Sequence, residues 1–122
     1  MYQGFKDLKV YQLSYKLAME IFKVSKNFPR EEKYSLTDQV RRSSRSIPTN
    51  IAEAFRKRRY TKHFVSKLTD SDAECSETLV WVDFAFDCGY INKEQHHYFN
   101  KKYEEVGKML GSMIQSPEKF TL

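Results

Sequence analysis

Apolar residues recur three and four apart along almost the whole of this chain, and the breaks between the periodic stretches are short. That is the period of an α-helix, and no stretch shows the every-second-residue alternation of a half-buried strand. With only 4 glycines and 3 prolines in 122 residues, the many tight turns of an all-β fold are also missing. The expected fold is therefore all-α. Four helices, over about residues 7–27, 33–57, 61–88 and 93–115, should form an up-down-up-down four-helix bundle in a single domain spanning 1–122.

The first helix carries two neighbouring stripes, Leu8, Tyr11, Tyr15, Ala18, Phe22 and Val10, Leu13, Leu17, Ile21, Val24. One stripe suffices for one buried seam, so two predict a helix covered on two sides or one used for self-association. Phe28-Pro29 closes it, because the residue before a proline leaves the helical region. The second helix reads Leu36, Val40, Ser43, Ile47, Ile51, Ala54, with Ser35 and Asp38 as a weakened capping box. Pro48 lies inside that stripe without shifting its phase, which predicts one kinked helix rather than two. The third carries Phe64, Leu68, Ser71, Cys75, Leu79, Val82 and Phe86, with Gly89 placed to end it and the apolar Ile91 beyond. Asn92 and Gln95 form a capping box for the fourth, which carries Phe99, Tyr103, Val106, Leu110 and Met113 before Pro117.

Charge is divided along the chain. Residues 41–62 hold Arg41, Arg42, Arg45, Arg56, Lys57, Arg58, Arg59 and Lys62 against Glu53 alone, a local charge of +7. Residues 63–92 hold Asp70, Asp72, Glu74, Glu77, Asp83 and Asp87 against Lys67, a local charge of −5. One surface is thus offered to anions while another is acidic. Cations at the end of the second helix complement its dipole, but that needs one or two, not four in a row. Arg56 to Arg59 repel one another unless an anion relieves them, and arginine suits phosphate oxygens geometrically. Tyr60 is available there to stack on a base.

Other chemistries fit less well. No apolar run is long enough to cross a membrane, no leader is apparent, and Cys75 and Cys88 make no disulfide framework, which together suggest a cytoplasmic protein. The two thiols lie within one helix and are expected to be buried and inert. Glu94 and His97 make one Glu-x-x-His step, but a di-metal bundle needs a second and two more inward glutamates, so no metal is expected. Arg58 and His63 match the Arg-x4-His spacing of HEPN-type ribonucleases, with Arg59 in place of the usual Asn or Asp. No nucleophile elbow, phosphate-cradling glycine loop or nucleotide fingerprint occurs, so no cofactor and no enzymatic activity are expected.

Several segments resemble the small bundle proteins known as the 23S rRNA intervening-sequence (S23) family. These are Phe5-Lys6-Asp7-Leu8-Lys9-Val10-Tyr11, the connection Phe28 to Thr37, Gln39-Val40-Arg41-Arg42, and Ser46-Ile47-Pro48-Thr49-Asn50-Ile51-Ala52-Glu53. Phe64, Leu68, Glu77, Gly89, Tyr90 and Ile91 continue the likeness over roughly residues 5–115. Ala54 stands where the family generally has glycine, Ser43-Ser44-Arg45 replaces a small apolar stretch, and Asp70 and Asp72 make the third helix more acidic. The resemblance implies a four-helix bundle assembling as a homopentameric ring. By architecture it also implies a likeness to the basic, nucleic-acid-binding accessory variability proteins of diversity-generating retroelements. Within the shared motif, Glu53 is expected to pair with an arginine and Asn50 to bond backbone freed by Pro48. Arg41 and Arg42 are equally readable as structural or as part of an anion-binding face. The resulting expectation is a cytoplasmic homo-oligomer binding nucleic acid, RNA rather than DNA, through the eight cations of residues 41–62, with a protein-interaction scaffold as the alternative.

Overall fold

Four long helices account for most of residues 4–122, the part of the chain described by the computed structural model. They are α1 (Lys9–Ser25), α2 (Leu36–Arg56), α3 (Thr61–Asp87) and α4 (Lys93–Gln115). Single 3-10 turns sit at Phe5–Asp7, Arg30–Glu32 and Pro117–Lys119. Each helix packs beside its sequence neighbours and α4 returns to α1, closing an up-down-up-down bundle in which α2 and α3 make the broadest contact and α1 and α4 the narrowest.

α1 starts two residues later than its periodicity suggests, because Phe5–Asp7 forms a separate turn in which Asp7 Oδ2 accepts the Gly4 N–H at 3.2 Å. The stripe Val10, Leu13, Leu17, Ile21, Val24 faces the core, with Val10, Leu17 and Ile21 buried and Leu13 and Val24 half-buried. The other is buried at Leu8 and Ala18 but half-buried at Tyr11 and Phe22 and open at Tyr15, 53% exposed, with Met19 beside it 43% exposed. Within one chain, then, α1 is covered on one side only.

In α2 the expected positions Leu36, Val40, Ser43, Ile47, Ile51 and Ala54 are all buried, and the helix runs unbroken through Pro48. Its start is not built as expected. The Ser35 hydroxyl makes no capping bond; it donates to Glu32 Oε1 at 2.7 Å, and the same oxygen accepts the Leu36 N–H at 3.4 Å. A carboxylate one turn upstream does the work assigned to Ser35 and Asp38, since charge makes it the stronger acceptor. Nor does Asn50 serve the proline. The hydroxyl beside Pro48 comes from α3, where Ser71 Oγ donates to the Ile47 carbonyl at 2.9 Å.

The buried positions of α3 are Phe64, Leu68, Ser71, Cys75, Thr78, Val82 and Ala85, a strict alternation of four- and three-residue steps. The expected Leu79 and Phe86 are only half-buried. Thr78 takes an inward place where α2 presents Ser43: the Thr78 and Ser43 hydroxyls lie 2.9 Å apart, and Thr78 Oγ1 also lies 2.9 Å from the Glu74 carbonyl. Small residues let the two helices approach closely, and hydroxyls satisfied by their own helix do not charge the core with unpaired polarity. Gly89, at φ 80°, ends α3 as expected. The Gly89 N–H donates to the Phe86 carbonyl at 2.9 Å and the Tyr90 N–H to the Ala85 carbonyl at 2.8 Å. α4 follows its sequence closely. Asn92 and Gln95 exchange two 2.8 Å capping bonds, and Phe99, Tyr103, Val106, Leu110 and Met113 face the core.

Candidate nucleic-acid interface

The eight cations of residues 41–62 do not form one surface. α2 rises about 1.5 Å per residue, so Arg45 and Arg56 are roughly 16 Å apart along its axis, beyond a Debye length of about 8 Å in physiological salt. Two groups result.

The first lies toward the end of the bundle where α1 connects to α2, against the last turn of α1. Arg41 Nε donates to Ser25 Oγ at 2.8 Å, and the guanidinium carbons of Arg41 and Arg45 lie 4.8 and 5.5 Å from the centre of the Phe22 ring. Lys26 Nζ is 4.8 Å from the same ring. Three cations thus share one aromatic ring, a contact worth on the order of 0.5–1 kcal/mol each when exposed. Arg41 is half-buried and partly structural, while Arg45 is exposed. Arg42 is exposed and turned toward α3, where it opposes the upward pull that burial and Glu77 exert on the Glu74 carboxyl.

The second group occupies the end of α2 and the turn into α3. Arg56, Lys57, Arg59 and Lys62 are exposed. Arg58 is half-buried, its guanidinium carbon 3.9 Å from the centre of the Phe55 ring, and its carbonyl accepts the Leu122 N–H at 3.4 Å. Arg56, Arg58 and Arg59 border a cavity of about 360 Å³ whose other described walls are Gly4, Phe5, Phe55 and Leu122. Tyr60 is 61% exposed and meets His63 edge-on at 5.9 Å.

Among the described residues, none of the eight cations forms an ion pair. Glu53, expected to pair with an arginine, is bound instead to Lys67 of α3 at 2.7 Å, a contact that raises the Lys67 pKa. Lys67, one helical turn of α3 past Phe64, reaches Glu53 from the neighbouring helix. Asp70, Asp72, Glu77 and Asp87 are exposed on α3, so the acidic stretch stays in solvent.

His96 and Cys75 have ordinary structural surroundings. His96 Nε2 lies 2.8 Å from Asp83 Oδ1 and its ring stacks on Phe86 at 4.3 Å. Among the described residues, no group of three or more His, Cys, Asp or Glu is placed to hold a metal ion. Burial pushes the Cys75 thiol up to about 12, helped by the charge of Asp72. Cys88, expected to be buried, is exposed at the end of α3. Thirteen helical steps turn it about 220° from Cys75, away from the core.

Phe22, Lys26, Phe55 and Phe5 are the site's unanticipated members. Phe22 and Lys26 are four apart on α1, a signal of a shared face, but nothing in the sequence aligns that face with Arg41 and Arg45. A second recess, of about 400 Å³ between α1 and α2, is lined by Phe5, Tyr11, Tyr15, Ala18, Met19, Arg45, Pro48, Thr49 and Ala52.

Comparison with known proteins bears on this arrangement. A family model described as 23S rRNA-intervening sequence protein matches residues 6–112. A crystal structure of a protein of unknown function from the S23 ribosomal protein family of Bacteroides thetaiotaomicron VPI-5482 superposes with a TM-score of 0.78 at 31% identity, over 87% of this chain and 95% of that one. No curated protein matches. No helix is long and apolar enough among the described residues to cross a membrane.

Proposed function

The chain belongs to the 23S rRNA-intervening sequence protein family, and on that premise we propose that it is a non-enzymatic, cytoplasmic, homo-oligomeric bundle that binds nucleic acid, RNA in preference to DNA. The observation that carries this reading is the second cationic group: five cations crowded at one end of the bundle without a carboxylate partner among the described residues. Their mutual repulsion is relieved by phosphates, and the released counterions drive association. Arg42, Arg45 and, in part, Arg41 supply a second, separate positive patch on α2. Repetition around a ring, the pentamer that the family resemblance implies, would multiply each weak contact.

The test is the affinity for a fluorescent RNA and a matched DNA duplex across salt concentration, with the oligomer's mass determined in the same buffer. The expected log–log slope is about −4 or steeper, which corresponds to about five phosphates. Arg59→Ala should weaken all sequences alike, and His63→Ala should leave both RNA binding and RNA integrity unchanged. A salt-independent affinity would overturn the reading.

A second reading is favoured by the recess between α1 and α2, where Tyr15 and Met19 stand exposed beside Phe5 and Tyr11. Aromatic and methionine side chains of this kind suit a protein partner. Failure of the oligomer to bind nucleic acid at physiological salt would give this scaffold role precedence.

A further inference from the structure

Arg56, Arg58 and Arg59 border a recess rather than a convex surface, and its other walls among the described residues are Gly4, Phe5, Phe55 and Leu122. A duplex presents its phosphates along an outer rim and is met by cations spread over a surface, so a recess with an aromatic floor is the wrong shape for it. Phe55 is 5% exposed, which anchors the ring beneath the Arg58 guanidinium in the core. The bond from the Leu122 N–H to the Arg58 carbonyl fixes the turn at a second point. The guanidinium is therefore a held, planar, cationic platform with one face already on an aromatic ring. The volume, about 360 Å³, lies at the small end of the range for small-molecule sites, about 300–1,000 Å³.

We propose that this recess holds one unpaired nucleotide, its base stacked on the face of Arg58 remote from Phe55 and its phosphate between Arg56 and Arg59. The proposal rests on the polyanion reading of the same turn and adds to it a preference for single strands or strand ends over duplex. Stacking on guanidinium is tolerant of sequence, because every base has a π-face, so the site reads the absence of pairing rather than the identity of a base.

The experiment compares a single-stranded oligonucleotide with an abasic strand of the same length and phosphate count, by fluorescence anisotropy at one fixed salt concentration. The base-bearing strand is expected to bind about tenfold more tightly. Arg58→Lys, which keeps the charge and loses the planar face, should bind the base-bearing and the abasic strand alike. Equal affinities of the parent protein for the two strands would overturn the nucleotide site while leaving the phosphate-driven reading intact. Failure to bind either strand would overturn both. Equal affinities of the parent overturn the site even if Arg58→Lys does not fold, and an advantage that Tyr60→Ala abolishes would overturn Arg58 as the platform.

Discussion

Tyr103 contributes its whole ring to the core and nothing to any hydrogen-bond network: its hydroxyl is buried without a partner among the described residues. Its ring stacks on Phe99 at 6.4 Å, and its carbonyl accepts a weak bond from the Cys75 thiol at 3.4 Å. Burial raises the phenol's pKa above its ordinary value, so the phenol is neutral at pH 7. Tyr103→Phe removes the unpaired oxygen and keeps the ring. It should leave stability unchanged or raise it by about 1 kcal/mol, read from thermal or urea unfolding. A loss of more than about 1 kcal/mol would show that the hydroxyl has a partner after all. Single residues were also the scale at which the sequence misled most. Apolar periodicity marks Tyr103 as core but says nothing of its oxygen. It passes over Thr78 because a hydroxyl does not count as apolar. It assigns Glu53 to an arginine because spacing along one helix cannot see Lys67 arriving from the next.

Elements were far more legible, and α4 most of all, since its capping box, its seam and its terminal proline agree with one another. Connections were less so, because they depend on groups brought together from different helices. Glu32 is the example. Its carboxylate accepts the hydroxyl of Ser35 at 2.7 Å and that of Tyr90, beyond α3, at 2.9 Å. These two bonds, Ser35 first, hold the Glu32 carboxyl below the usual carboxylate range, and the bond to Glu32 pushes the Tyr90 phenol up to about 12. A carboxyl lowered by folding contributes stability above its unfolded value, near 4.5, and that contribution fades as the pH falls through the lower folded value. Glu32→Gln should therefore melt at a lower temperature than the parent at pH 7, and the two curves should converge as the pH drops well below 4.5. A difference that persists unchanged in acid would mean that the charge is not what matters there.

At the scale of the whole molecule, the sequence foretold that opposite charges would lie on different helices but not how the basic set would divide. The eight cations lie close together in the sequence, yet α2 carries Arg41 and Arg45 to one level of the bundle and Arg56, with the turn that follows it, to another. Likewise the doubled stripe of α1 foresaw an aromatic face beyond the needs of one core, and that face is present, open between α1 and α2. What covers it depends on surfaces outside the chain, which no periodicity within the chain encodes. The broad contact between α2 and α3 has a kinetic consequence of its own. These helices are joined by only the short turn from Lys57 to Tyr60, so their pairing closes a small loop at little entropic cost, whereas docking α1 on α4 must close nearly the whole chain. The central hairpin should be the folding nucleus. In stopped-flow refolding, Ile51→Val should chiefly slow folding, while Val106→Ala should chiefly hasten unfolding. If both changes acted on the same limb of the chevron, the helices would instead condense together, and the molecule would have no early half.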